Sequence, residues 1–202
     1  MIELTEKKLD ILREIVNIAS GNAATALSEL LQKRIDMGVP IVEVKQFQDV
    51  ADRIGEADEI VTATLVNIVG KLSGNILFII KEDEAKSMAC SLLDNIADDY
   101  DENMIMSVFK EIGNILGNSY LRAIGTFLGI DVSSSIPYIS TDMLFSIMST
   151  AYINTNGDDD YVIDIGCTLS ENNTKFNMNI FFVIDSNSLA MLLEETEHML
   201  GQ

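Results

Sequence analysis

The chain has 202 residues, of which 32 are acidic and 13 are basic, and its formal net charge at pH 7 is -19. This length is sufficient for one large domain or two small ones, and a composition with 48% hydrophobic and 22% charged residues excludes a disordered chain. The acid excess argues against binding to nucleic acid or to an anionic membrane, because both partners would repel it.

The first half of the chain begins with helical periodicity from about residue 5 to residue 33. Apolar residues recur there at three- and four-residue intervals and form one stripe: Leu12, Val16, Ala19, Ala23, Ala26 and Leu30. An extended segment, two strands joined by a turn around Gly70 and a second helix are predicted next, over 39–44, 59–69, 72–80 and 82–93. The acidic run 95–103 is the predicted connection to the second half.

The same order of elements begins again after this connection. A second long amphipathic helix is predicted over 101–128, with an apolar stripe of Phe109, Ile112, Leu116, Tyr120, Ala123 and Phe127. An extended piece, a short apolar helix, an acidic loop, two strands and a terminal helix are predicted to follow, over 136–139, 142–152, 154–160, 161–169, 176–184 and 187–200.

Comparison of the two halves indicates an internal duplication. A shift of 97 residues places Glu14 on Glu111, and it superimposes the only two prolines, Pro40 and Pro137. The segment 75–80 matches 179–184 at a shift of 104, so about seven residues are extra in the second half. We therefore predict an α+β (α/β) fold with one pseudo-two-fold domain over 1–202 and internal repeats at approximately 5–96 and 101–201. The two halves are expected to share one mostly antiparallel sheet, with two long amphipathic helices packed against it.

The polar faces of the two long helices carry the candidate functional residues. Because successive helical residues turn by about 100°, positions separated by four, seven and eleven share a face. The residues on these faces are Asp10, Glu14, Asn17 and Gly21 in the first helix, and Ser107, Glu111, Asn114 and Asn118 in the second. A polar face is ordinary on any amphipathic helix, but Asn is unfavourable inside a helix and still recurs here in both copies. The repetition indicates two sites.

Glu and Asn can perform only a limited chemistry without His, Cys or a metal cluster. The Asn amide both donates and accepts hydrogen bonds, so it can orient a water molecule for in-line attack on a reactive phosphoryl group. The substrate must then carry its own metal and activated bond. A phospho-aspartate on a receiver domain, with Mg²⁺ and a Lys already in place, meets this requirement, and the neighbouring Glu could pair with that Lys. We expect no cofactor and no metal of the chain's own.

One spacing of residues occurs twice, as Asp10-x3-Glu14-x2-Asn17-x22-Pro40 and as Ser107-x3-Glu111-x2-Asn114-x22-Pro137. Both copies resemble the signature of the CheC/CheX/FliY chemotaxis phosphatases, and the segments 14–18, 21–26 and 111–115 resemble CheC in particular. This resemblance implies two active sites, Glu14/Asn17 and Glu111/Asn114, that dephosphorylate the response regulator CheY. By the same resemblance, Asn positions the hydrolytic water and Glu contacts the regulator's Lys. Ser107 in place of Asp is permitted by the signature and leaves the two copies unequal.

The resemblance also implies a second partner. The short apolar helix at 142–152 lies where CheC-like proteins carry the helix that binds the receptor deamidase CheD. A buried core helix is the alternative interpretation, because Met143 and Met148 suit either an adaptable contact surface or a core. The alternative function is accordingly a catalytically weak binding module that sequesters CheD.

Cysteine usage and apolar segments predict the location of the protein. Two cysteines, Cys90 and Cys167, in a chain of this length indicate a reducing compartment rather than a disulfide framework. The N-terminus lacks the basic start and apolar stretch of a signal peptide, and no apolar run approaches the roughly 18 residues of a membrane span. We therefore expect a cytoplasmic protein that does not insert into membranes.

Overall fold

The computed structural model describes residues 5–46, 50, 56–92, 102–153, 161–171 and 174–200. The predicted acidic connection and the acidic loop at 154–160 lie largely or wholly outside these residues. In chain order the elements are α1 (Glu6–Leu31), β1 (Ile35–Met37), β2 (Ile41–Gln46), β3 (Ile60–Gly70), β4 (Gly74–Lys81), α2 (Glu82–Leu92), α3 (Glu102–Leu128), β5 (Val132–Ser134), β6 (Tyr138–Met143), α4 (Leu144–Ile153), β7 (Tyr161–Glu171), β8 (Thr174–Ile184) and α5 (Ser186–Leu200).

Local signals define the ends and the buried face of α1. The Thr5 side chain caps the helix by accepting a hydrogen bond from the Lys8 backbone N–H at 3.4 Å. The helix ends where Gln32 adopts the left-handed conformation, with φ of 53°. Its buried apolar residues are Leu12, Ile15, Val16, Ala19, Ala23 and Leu27. Leu30, predicted to belong to this stripe, is instead half-exposed in the last turn.

The sheet interleaves the two halves of the chain. Its strand order is β1-β7-β8-β4-β3-β5, with β2 also paired to β7 and β6 also paired to β3, and every pairing among the described strands is antiparallel. The hairpin of the first half is β3–β4, and that of the second half is β7–β8. The first two strands of each half, β1 and β2 or β5 and β6, therefore pair with the hairpin of the other half. Neither hairpin can bury its outer edge without the other half of the chain.

The two prolines occupy matching irregularities in the edge strands. Three residues, 38–40, separate β1 from β2, whereas only two residues of β7 lie between the corresponding partners. The same mismatch separates β5 from β6 opposite β3. The Gly38 N–H donates to the Thr168 carbonyl at 2.8 Å and the Ser135 N–H donates to the Asn67 carbonyl at 2.9 Å. Each edge strand thus contains a bulge ending at a proline, which has no N–H to leave unpaired.

Strand pairing corrects the register inferred for the repeats. Gly38 and Ser135 are 97 residues apart in the sequence. Their respective hydrogen-bond partners, Thr168 and Asn67, are 101 residues apart. In the hairpins, Val61 pairs with Lys81 and Val162 pairs with Val183, so β4 corresponds to β8 at a shift of 102 rather than 104. The sequence match was displaced by two residues because side chains in a strand repeat every two residues, so this slip preserves the inward-facing pattern.

The sheet is covered differently on its two faces. One face packs against α1, α2, α3 and α5 in a large core that includes Phe78, Phe176 and Phe182. The other face carries α4, whose residues Leu144, Ile147, Met148 and Ala151 pack with residues such as Leu77 and Phe181. The predicted mixed fold, with a shared antiparallel sheet and two long helices against it, is confirmed. The origin of the halves by duplication stays a prediction.

Within the described ranges, no helix is both long enough and apolar enough to cross a membrane.

Candidate functional site

The polar face of α1 presents the first predicted pair of site residues to solvent. Asp10, Glu14, Asn17 and Gly21 are all exposed. The Asp10 carboxylate accepts a hydrogen bond from Arg13 at 2.7 Å. Among the described residues, the side chains of Glu14 and Asn17 contact no ion-pair or hydrogen-bond partner. Both groups are therefore available to a molecule that docks on this face.

The equivalent face of α3 presents the second pair. Glu111 is exposed and Asn114 is half-buried, and neither side chain has a hydrogen-bond or ion-pair partner in the described part of the chain. The Ser107 hydroxyl donates to the Asn103 carbonyl at 2.8 Å. This position is consequently neutral and bound to the backbone, whereas Asp10 at the equivalent position is charged and paired with a cation.

Side chains further along α3 differ between the two halves as well. The Asn118 amide donates to the Asn114 carbonyl oxygen at 2.8 Å, and its own oxygen accepts a hydrogen bond from the Ser134 hydroxyl at 3.0 Å. Gly21 stands at the equivalent place in α1. Ser134 escaped the sequence analysis because β5 is a three-residue strand with no apolar alternation of its own. Its link to Asn118 fixes the turn of helix that follows Asn114.

A buried hydrogen bond joins the two helices that carry the site residues. The Ser20 and Tyr120 hydroxyls are 2.8 Å apart, and both side chains are almost fully buried. Burial raises the pKa of the Tyr120 phenol still further above neutral pH. The Tyr120 ring also contacts Phe182 of the sheet, with ring centroids 5.6 Å apart. The helices are thereby fixed to each other and to one face of the sheet.

Close packing beneath α3 holds the second pair against the sheet. A Cβ atom at Gly113 would lie 2.4 Å from Thr64 Cγ2 on β3 and 3.5 Å from Pro137 Cβ. Only glycine therefore permits α3 to approach β3 this closely beside Asn114. The buried Pro137 lies next to the helix that carries Glu111 and Asn114. The spacing from Asn114 to Pro137 thus places the proline beside the turn of α3 that contains Gly113.

The arrangement brings each Glu to its own Asn, because residues three apart on a helix are neighbours. The four predicted site residues lie on two helices that pack against each other. Within the described ranges, no group of three His, Cys, Asp or Glu residues could hold a metal ion. Each of the two helices therefore presents one carboxylate and one primary amide next to each other.

Comparison with known proteins places this geometry in a family. The CheC-like family model matches residues 8–44. The CheY-P phosphatase CheC of Bacillus subtilis is 30% identical over 195 residues, which cover 94% of this chain and 93% of that protein.

Solved structures share the fold at lower sequence identity. The structure of Thermotoga maritima FliY matches with a TM-score of 0.78 and 20% identity, and covers 98% of this chain and 99% of that one. A CheX-CheY-BeF3-Mg complex from Borrelia burgdorferi matches with a TM-score of 0.50 and 16% identity, over 83% of this chain and 96% of that one. Together with the near full-length similarity to CheC, these findings show that the chain belongs to the CheC-like family, within the CheC/CheX/FliY group of chemotaxis proteins.

Proposed function

We propose that this protein hydrolyses the phospho-aspartate of a CheY-type response regulator at two sites, Glu14/Asn17 and Glu111/Asn114. The proposal is supported by the family of the chain and by the relative from Bacillus subtilis, which is named a CheY-P phosphatase. The observation that carries it is the repetition of an exposed Glu and a solvent-accessible Asn whose side chains have no hydrogen-bond or ion-pair partner within the described residues.

The proposed reaction needs little from the protein besides orientation. The Asn amide accepts a hydrogen bond from one water molecule and aligns its oxygen with the phosphorus. The water oxygen then forms a bond to phosphorus while the bond from phosphorus to the aspartyl oxygen breaks. The products are the free Asp carboxylate, inorganic phosphate and a proton that passes to solvent. The Mg²⁺ belongs to the regulator, where it neutralises the phosphoryl charge.

The proposed role of Glu is to hold the regulator in place. An exposed carboxylate at Glu14 or Glu111 can pair with the Lys of a docked regulator, and this charge-assisted hydrogen bond forms where the phosphoryl group enters. Holding both molecules in one orientation lowers the entropic part of the barrier for the Asn-bound water.

Decay of a phosphorylated regulator tests the assignment of Asn. We expect the unmodified protein to accelerate the decay, and the Asn17→Ala/Asn114→Ala variant to return it to the regulator's own rate, a loss of about 10²-fold in stimulation. Asn22→Ala is the matched control, since Asn22 is an exposed Asn on the same helix outside the proposed site. Acceleration that survives in the double variant would show that the water is oriented by other groups.

Binding tests the assignment of Glu. Glu14→Lys/Glu111→Lys should weaken association with a regulator loaded with BeF3 and Mg²⁺ by about tenfold or more, because each new ammonium group would face the regulator's Lys. Glu29→Lys, at another exposed position of α1, makes the same type of charge change away from the site. Equal weakening by both changes would indicate a general charge effect and contradict the proposed contact.

A second candidate function concerns α4. This helix lies on the sheet face opposite α1 and α3. Met148, suggested as a contact residue, is buried at 3% exposure, whereas Phe145 is 67% exposed and Met143 at the end of β6 is 45% exposed. One side of the segment 142–152 is therefore core, as the alternative interpretation expects, and the other side is an exposed apolar surface. This surface supports a proposal that the protein also binds the deamidase CheD.

The adaptor function can be separated from catalysis. Phe145→Glu should abolish association with CheD, because it places a charge in the apolar surface, and it should leave the decay rate of the phosphorylated regulator unchanged. Thr150→Glu is the matched control, because it adds the same charge at an exposed position about 140° around α4 from Phe145, and it should retain association. Retained association in the Phe145→Glu protein would exclude this surface as the CheD site.

A further inference from the structure

A polar groove of about 690 Å³ opens beside the second Glu/Asn pair. It begins at Asn118, one helical turn after Asn114, and continues past Arg122 on the same helix. Lys71, in the turn between β3 and β4, also lines the groove. The groove is therefore continuous with the face on which a regulator would dock.

The groove carries positive charge in a strongly acidic chain. Arg122 and Lys71 are both exposed, and neither has an ion-pair partner within the described residues. Many other cations of the described part are paired with acids: Arg13, Lys33, Arg34, Lys45, Lys81 and Lys86. Asp131 is the only acidic residue among the described residues that line the groove. Two cations against one acid leave a local positive surface on a chain of net charge -19.

The corresponding positions of the first long helix differ from those of the second. At the shift of 97 residues, Thr25 stands in place of Arg122 and Gly21 stands in place of Asn118. The Thr25 hydroxyl donates to the Gly21 carbonyl at 3.0 Å and carries no charge. The two sites therefore share their Glu and Asn but differ in the surface that follows the Asn.

We propose that the groove of Arg122 and Lys71 binds carboxylates on the surface of the phosphorylated regulator and makes the second site the preferred docking site. This inference rests on the proposed phosphatase function. Eight residues of helix place Arg122 about 12 Å along the axis from Asn114, well inside the footprint of a protein interface of about 800 Å². The net charge of -19 repels surface carboxylates at a distance, and the unpaired cations supply attraction over about 8 Å, the screening length at physiological salt.

The kinetic test isolates the second site. In an Asn17→Ala background, only Glu111/Asn114 can act, and Arg122→Thr introduces the residue found in the first half. We expect KM for the phosphorylated regulator to rise about twofold to fivefold with kcat unchanged, and the rise to disappear in high salt. In an Asn114→Ala background, where only Glu14/Asn17 acts, Arg122→Thr should leave KM unchanged.

Lys175→Thr is the matched control, because it alters the net charge by the same amount. Lys175 is exposed and lies nine positions along β8 from Ile184, the partner of Gly74 next to the turn that carries Lys71. That spacing corresponds to about 30 Å along the strand. A KM in the Arg122→Thr protein that matches the Asn17→Ala parent, or an equal rise with Lys175→Thr, would overturn the groove's role. So would an Asn17→Ala protein that is inactive while the Asn114→Ala protein is active.

Failure of the proposed function has a different signature. If the unmodified protein does not accelerate decay of the phosphorylated regulator, the phosphatase function is refuted and the groove has no substrate to dock. If acceleration is normal and only the effect of Arg122→Thr is missing, the function stands and the groove alone is refuted.

Discussion

Substituting Gly113 with Ala should destabilise the protein and displace the helix that carries the second site. The added Cβ atom would lie 2.4 Å from Thr64 Cγ2, whereas ordinary contacts between such atoms are 3.4 Å or longer, so about 1 Å of movement is needed. Overpacking of this kind costs about 1–3 kcal/mol, and the better helix propensity of Ala returns up to about 1 kcal/mol. The expected net loss in the free energy of unfolding is about 1–2 kcal/mol.

Urea unfolding with two companion variants would test this reasoning. Gly21→Ala is the control, because its added Cβ has nothing within 4 Å, and it should raise the free energy of unfolding by about 0.5–1 kcal/mol. Thr64→Ser removes Cγ2 and should restore most of the stability lost in the Gly113→Ala protein. A Gly113→Ala protein as stable as the Gly21→Ala protein, or a double variant with no recovery, would refute the claim that this glycine sets the distance from α3 to β3.

Three other predictions concern buried groups. Tyr120→Phe should lower the free energy of unfolding, measured in urea, by about 1–2 kcal/mol, because the Ser20 hydroxyl loses its partner. A Ser20→Ala/Tyr120→Phe protein that loses more free energy of unfolding than the two single variants together would contradict this. Lys33→Met removes the ammonium group 3.3 Å from the buried Glu171 carboxylate, and it should lower the free energy of unfolding in the same assay by about 2–4 kcal/mol. An unchanged midpoint of urea unfolding would show that other contacts stabilise the carboxylate. Burial raises the pKa of the Cys167 thiol to about 12. At pH 8, mass spectrometry should therefore find this residue alkylated only after unfolding. Fast alkylation of the native protein would contradict its burial.

The same raised pKa predicts a loss of stability at high pH. Below a pH of about 9 the Cys167 thiol is neutral in both the folded and the unfolded chain, so it adds no pH dependence there. As the pH rises from about 9 towards 12, the thiol ionises in the unfolded chain but stays neutral in the folded one. The unfolded state is thereby stabilised relative to the folded state, so the free energy of unfolding falls. Cys167→Ala should reduce the decline in the free energy of unfolding over this range, and an unaltered pH profile would contradict the shift.

Most of the candidate site could be predicted from the sequence because it depends on local geometry. Glu14 and Asn17 share a face of α1 through the period of the helix alone, and the structure leaves both exposed as that period requires. The matching pair on α3 follows by the same rule, with Asn114 half-buried rather than fully exposed. Their catalytic role stays a prediction, since exposure and availability support it without testing it.

Features that depend on distant residues were missed or only partly predicted. The three-residue strands β1 and β5 have no pattern of their own and exist because β7 and β3 offer them partners. The side of α4 that becomes core is decided by the sheet face on which it lies. The groove joins Lys71 and Arg122 across 51 positions of sequence, and nothing near either residue indicates that they meet.

The sequence by itself determined the two long helices, their polar faces, the doubled spacing from acid to amide to proline, and the repetition of elements. Each of these follows from periods of two or 3.6 residues, or from comparison of one half with the other. Only the tertiary structure decided that the edge strands of each half lie on the other half's hairpin, that α1 and α3 share one sheet face, and that a groove lined by Lys71 and Arg122 adjoins the second pair. Strand order, and the surfaces it assembles, depends on contacts between residues far apart in the chain, which local periodicity does not encode.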